Sequence, residues 1–141
     1  GIGTRTNEAG LAAIQRLLAR MNVQVNAVRL PPQVQHLLGL VLFLDGDLAA
    51  IDEERTTPEI RKILREHGVK TIAIPASSEM RSRRGMNGVT IGPREVVIPS
   101  ACPRIADALS QEGVTVHEID VSAYVQAAGA LGCLTAIIDR E

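Results

Sequence analysis

Two residues of this chain have the side-chain chemistry for covalent catalysis, and both stand in unusual surroundings. Cys133 ends the uncharged run Ala127-Ala128-Gly129-Ala130-Leu131-Gly132 and is followed by Leu134 and Thr135. A thiol held at a tight turn is placed like a nucleophile. Gly129 and Gly132 can adopt backbone shapes closed to other residues and let a ligand come close. The competing reading is packing, because a free cysteine among apolar residues is usually a small buried hydrophobe. His36 lies in Gln33-Val34-Gln35-His36-Leu37-Leu38-Gly39. An imidazole can shuttle protons while a thiolate attacks. Taken alone it reads as a hydrogen-bonded structural histidine. The pairing has meaning only if the fold brings the two together.

The elements that must do so follow from periodicity. Asn7 is a good N-cap, and Leu11, Ile14, Leu17, Leu18 and Met21 recur at helical spacing, predicting a helix over residues 8–21. Val23, Val25 and Val28 predict a short strand ended by Pro31-Pro32. A strand over 40–45, a turn at Gly46-Asp47 and a return strand over 48–52 come next. Thr57 caps a helix that has Pro58 at its first position and Ile60, Ile63 and Leu64 inward. Gly68 stops it, and residues 69–74 form a strand. The pattern then recurs. Strands over 89–92 and 95–99 flank the Pro93-Arg94 turn. A helix over 103–112 turns Ile105, Ala108 and Leu109 inward, Gly113 stops it, and a strand covers 114–119. The stop glycines are 45 residues apart and the turns 47.

These are two strand–strand–helix–strand units, preceded by the tail of another and followed by the start of a further one. A repeat of this length means a ring or an array, because one unit cannot bury its own apolar face. The place just before each first strand is equivalent from unit to unit. Those places are the 36–39 loop, Asn87 and Cys133, the last leading into an expected strand over 134–138.

Composition narrows the partners. The 141 residues suit a single domain, and 45% apolar with 22% charged residues suits a packed core. A net charge of −1, with Arg81-Ser82-Arg83-Arg84 the sole basic cluster, argues against nucleic acid or an anionic membrane. One Phe, one Tyr and no Trp leave little for bases to stack on. Cys102 and Cys133 make neither a metal-ligand spacing nor a disulfide framework, which points to a reducing cytoplasm and to no cofactor or metal. No membrane-spanning run occurs in the sequence. Cys102 and Tyr124 are assigned to packing. Asp45, Glu118 and Asp120, the carboxylates that could approach Cys133, read as solvated or turn residues.

Four ordered motifs then become recognisable: Gly3-Thr4-Arg5-Thr6-Asn7-Glu8-Ala9-Gly10; His36-Leu37; Met86-Asn87-Gly88-Val89 with Gly92-Pro93-Arg94; and Gly129-Ala130-Leu131-Gly132-Cys133-Leu134-Thr135. Together they resemble the superfamily of arginine deiminases, dimethylarginine dimethylaminohydrolases and amidinotransferases, over nearly the whole chain. The resemblance implies an α/β fold, part of a five-unit α/β propeller, with a guanidine substrate on its axis. It implies Cys133 as nucleophile, His36 as general acid and base, Arg5 as clamp on the substrate's α-carboxylate, and Asn87 as a pocket-lining, substrate-binding residue, with no metal. The chain departs from the superfamily pattern in three ways. Gly129-Ala130-Leu131-Gly132-Cys133 stands where Gly-Gly-x-His-Cys is frequent. Leu38 stands where deiminases carry Asp, as it is also missing from methylarginine hydrolases. The carboxylate-bearing amino-terminal units have no counterpart here. The expectation is thus a carboxy-terminal portion of two to three units, completed by amino-terminal sequence or by another copy. Its expected activity is hydrolysis of arginine or an N-methylated arginine through a covalent thioether. Amidino transfer, and a non-catalytic half-ring serving as a binding or assembly module, are the alternatives.

Overall fold

The computed structural model describes residues 1–137. Helix α1, Glu8–Ala19, starts where Asn7 accepts a hydrogen bond from the Gly10 backbone N–H at 3.0 Å. It ends two residues before Met21. The expected strand through Val23, Val25 and Val28 is not formed. This stretch is extended, and its pairing is an isolated parallel bridge of Ile2 with Arg29, flanked by Ile2 N–H to Val28 O at 2.8 Å and Leu30 N–H to Ile2 O at 2.9 Å.

A 3-10 turn, Leu37–Gly39, opens the first complete unit. Its sheet holds β1 (Val41–Phe43), β2 (Leu48–Asp52) and β3 (Lys70–Ile74) in that order. The β1–β2 pair is antiparallel across the hairpin and the β2–β3 pair parallel across helix α2, Pro58–Glu66. Strand β1 is shorter than expected because Leu44 and Asp45 both aim their N–H at the Leu48 carbonyl, which closes the turn early. A one-turn helix α3, Ser78–Arg81, follows, unforeseen because four residues carry no periodicity. The second unit repeats the first: β4 (Val89–Gly92), β5 (Glu95–Pro99), helix α4 (Pro103–Gln111) and β6 (Thr115–Ile119), with the same strand order and the same antiparallel-then-parallel pairing. After it come α5 (Ser122–Gln126) and α6 (Leu131–Leu134). In place of the expected strand over 134–138 the chain makes this helical turn and then runs irregularly to Ile137; Ile138 lies outside the described residues.

The repeat is visible in individual hydrogen bonds. Each third strand begins by donating to the hairpin turn, Lys70 N–H to Asp47 O at 2.7 Å and Thr115 N–H to Arg94 O at 2.8 Å. Each second strand hands over at its end, Glu53 N–H to Ile74 O at 3.0 Å and Ser100 N–H to Ile119 O at 2.8 Å. Each helix is closed by a left-handed glycine, Gly68 at φ +72° and Gly113 at φ +77°, a conformation at which Cβ would add strain.

Strand alternation divides the apolar residues between two cores. Leu48 and Ala50 of β2 face one way, with Leu42, Ile72 and Ile74, onto Val96, Ile98, Ile105 and Leu109 of the second unit. Ala49 and Ile51 face the other way, onto Ile60 and Leu64 of α2 and onto Val28 and Val34. All five β2 residues are buried. The hairpins of the two units are joined as well. Arg94 donates its N–H to Leu44 O at 2.9 Å, its guanidinium meets Asp47 at 3.0 Å and Asp45 at 3.3 Å, and the Thr90 hydroxyl donates to Phe43 O.

The outer faces of this stack are open. No residue of α1 is buried, leaving Ile14 and Leu17 exposed; Met21 just beyond it is exposed too, as are Ile91 and Ile119 at the far end. Tyr124 is corrected from packing residue to half-exposed surface residue at 51%, on a helix, α5, with no buried residue. Replacing Leu109, which is 0% exposed, by Ala should lower unfolding free energy by about 2–5 kcal/mol in urea titrations. Ile91→Ala, with 57% exposure, should stay within about 0.5 kcal/mol of wild type.

Candidate active site

Arg5, His36, Asn87 and Cys133 line a single cavity of about 620 Å³. The place preceding each first strand supplies two of them, His36 and Asn87. His36 is the residue at which the 3-10 turn begins, with extended backbone, and Gly39 donates to its carbonyl at 3.1 Å. Asn87 stands two residues before β4, its own N–H donating to Arg84 O at 2.7 Å. Cys133 lies within α6 rather than ahead of a strand, and its N–H reaches Ala130 O at 3.0 Å. Arg5 comes from the turn ahead of α1, where Gly3 N–H donates to Thr6 O at 3.0 Å.

The turn that delivers Cys133 differs from its expected form. Ala128, not Gly129 or Gly132, takes the left-handed conformation, at φ +62°. Gly132 is needed for space: a Cβ there would stand 2.9 Å from Asn87 Oδ1. Its N–H points to Asn87 O at 3.4 Å.

The two thiols are opposites. Cys133 is exposed, which removes the reading of it as a buried hydrophobe, and Asn87 donates from Nδ2 to its Sγ at 3.0 Å. Cys102 is 0% exposed inside the core between the units. Burial first, then the nearby Glu79 and Glu118 charges, push its thiol up from the usual 9.0 to about 11. It is inert packing, as its sequence setting suggests.

Three further arginines line the cavity: Arg55, Arg81 and Arg84. Arg55 is held through Nε by the buried Asp52 carboxylate at 2.6 Å, and the same carboxylate accepts from Glu54 N–H and Arg55 N–H. Arg81 pairs with Glu54 at 2.9 Å, whereas no ion pair among the described residues engages Arg5 or Arg84. The Arg55 site had a legible signal. It sits two residues before the N-cap Thr57, as Arg5 sits two before the N-cap Asn7. Arg84 had none, because its place depends on a left-handed residue at φ +55°.

Among the described residues no carboxylate lines the cavity. Asp45 is committed to Arg94, Glu118 accepts from Ala101 N–H at 3.1 Å, and Asp120 accepts from Ser122 N–H at 2.8 Å, which holds its carboxyl below the usual range. Among the described residues no cluster of three metal-ligating side chains occurs, and no helix is long and apolar enough to cross a membrane.

The chain has the fold of guanidine-modifying enzymes. It is similar to an amidinotransferase of the saxitoxin pathway from Microseira wollei, with TM-score 0.77 and 14% identity over 96% of this chain and 42% of that one. It is similar to a dimethylarginine dimethylaminohydrolase bound as an adduct with 4-chloro-2-hydroxymethylpyridine, with TM-score 0.74 and 25% identity over 95% of this chain and 50% of that one. A cysteine-to-serine variant of the Pseudomonas aeruginosa dimethylarginine dimethylaminohydrolase, complexed with citrulline, aligns at TM-score 0.67 and 22% identity over 88% and 44%. By sequence, an uncharacterised protein of Aeropyrum pernix is 26% identical over 136 residues, which are 96% of this chain and 46% of that protein. No family model matches. The resemblance read from the ordered motifs is therefore borne out as superfamily and fold, and the chain spans about half the length of the relatives it matches.

Iodoacetamide at pH 8 should label Cys133 well ahead of Cys102, as peptide mass mapping would show; equal rates would contradict the burial of Cys102. Alkali should also weaken the fold. The Cys102 thiol is protonated in both states below pH 9, but between about 9 and 11 the unfolded chain loses that proton more readily. Stability present below pH 9 should fall through that window, and less so in Cys102→Ala.

Proposed function

We propose that this chain carries the nucleophile-bearing portion of a guanidino-group hydrolase acting on arginine or an N-methylated arginine. The observation that supports it is the convergence of Arg5, His36, Asn87 and Cys133 on one cavity from four separate stretches of sequence. The Cys133 thiolate attacks the guanidinium carbon, forming a C–S bond. The bond to the leaving nitrogen breaks as His36 supplies a proton, releasing ammonia or an alkylamine. Water then attacks the amidino thioether, His36 takes its proton, and the C–S bond breaks to return the thiolate and a ureido product. Citrulline, which is such a product, is bound in one of the similar structures. Arg5 holds the α-carboxylate by its planar fork. If an amine takes the place of water the same adduct gives amidino transfer, a second reading favoured by the amidinotransferase among the similar folds.

The guanidinium needs negative charge, and among the described residues this cavity is lined by four arginines and no carboxylate. That charge comes from outside residues 1–137: from further units of a five-unit ring, or from another copy closing the open apolar faces beside α1 and β6. Uncovered apolar surface of this kind marks a partner face. An assembly module that never turns over substrate is the remaining alternative, and activity separates it from the others.

In the complete enzyme Cys133→Ser should abolish turnover and Cys102→Ser should leave it near wild type. His36→Ala should reduce kcat by about 10²–10⁴-fold, the usual weight of acid–base help. Arg5→Lys should raise KM more than it lowers kcat, because the lost fork binds ground and transition states alike. Full turnover by Cys133→Ser would sink the proposal.

A further inference from the structure

Among the described residues, Asn87 is the one polar side chain of the cavity wall that is both buried and only half satisfied. It is 8% exposed, and its main chain is pinned on both sides, by its N–H to Arg84 O and by Gly132 N–H to its own carbonyl. Of its amide, Nδ2 donates to Cys133 Sγ at 3.0 Å, while Oδ1 is buried with no partner among the described residues. A neutral thiol is a weak acceptor. A buried amide that gives its donor to such a group and leaves its carbonyl unpaired has a poor bargain, since an unsatisfied buried acceptor is destabilising. The arrangement becomes favourable when the sulfur is negative, because a donor facing an anion makes a charge-assisted bond. The distance agrees: 3.0 Å is ordinary for N–H to oxygen and close for the larger sulfur.

We infer that Asn87 is the hydrogen-bond donor that holds Cys133 as a thiolate, rather than a contact to the substrate. This rests on the reading of Cys133 as nucleophile. The proton leaves to solvent, since Cys133 is exposed. Gly132 is part of the device, because a Cβ at that position would press on Oδ1 at 2.9 Å and turn the amide away from the sulfur. The charged and titratable groups that share the cavity with Cys133 are His36, Arg5, Arg55, Arg81 and Arg84. They are unchanged in Asn87 variants, so a shift in thiol titration on replacing Asn87 belongs to Asn87.

The test is the pH profile of Cys133 alkylation by iodoacetamide in the purified chain, with Cys102 labelling as an internal report on opening of the fold. Asn87→Ala should move the Cys133 midpoint upward by about one pH unit, a tenfold loss of thiolate near neutrality. Asn87→Asp, equal in size and so the variant to rely on if the alanine form opens, should move it further, because a carboxylate repels the thiolate. Gly132→Ala should shift it in the same direction. Midpoints equal to wild type in Asn87→Asp would overturn the inference, as would faster Cys102 labelling with an unmoved Cys133 midpoint, which is the mark of a purely structural asparagine. Failure of the enzymatic reading is separate: it shows as turnover by Cys133→Ser, whatever the titration does.

Discussion

Each sheet of this chain has two apolar faces and only one helix of its own, and everything else follows from that shortage. Strand β2 makes it concrete. Its alternate residues enter different cores, Leu48 and Ala50 against the second unit, Ala49 and Ile51 against α2 and the preceding segment. A strand buried on both sides cannot belong to an isolated unit. Packing unit on unit therefore sets where the loop before each first strand lies, and those loops carry His36 and Asn87. The geometry of the candidate site is a by-product of hydrophobic stacking: strands of three to five residues with no chemistry of their own bring residues from opposite ends of the chain to one cavity.

How much of this was legible depended on whether the signal was local. The hairpins, the helices capped by Thr57 and stopped by Gly68 and Gly113, and the unit repeat could be read because turn residues and 3.6-residue spacing report on their own neighbourhood. The stretch through Val23, Val25 and Val28 misled, because valines favour a strand only where a sheet edge exists to receive them, and Ile2 offers a single bridge. The turn at Cys133 misled in another way. A glycine-rich run promises left-handed backbone, yet Ala128 took that role, and Gly132 was required for its missing Cβ instead. Which of two properties of glycine is in use depends on what stands opposite, and Asn87 is 45 residues away in sequence.

The site residues divide along the same line. Cys133, His36 and Arg5 stood out by type and motif, whereas the arginine wall did not, since Arg55, Arg81 and Arg84 look like ordinary surface charge in sequence. Arg55 gained its place through the buried Asp52, which fixes Nε and so orients the guanidinium. Asp52 is itself the last residue of the doubly buried strand. The core thus reaches into the cavity by one ion pair.

That wall also constrains the chemistry. Bringing a guanidinium beside several guanidinium groups is unfavourable by Coulomb repulsion, and little screening is available once water leaves a closed site. A thiolate at Cys133 contributes one negative charge and Asn87 contributes only a dipole. Neither balances Arg5 and Arg84, the two arginines of the wall that no ion pair among the described residues engages. The wall as it stands suits an anion better than a cation. Carboxylates supplied from beyond these residues would reverse that preference around the guanidinium, and they need not surround the sulfur. On the proposed reading the tasks are separated: this chain carries the thiol and holds the anionic end of the substrate, and a complementing surface receives the cation.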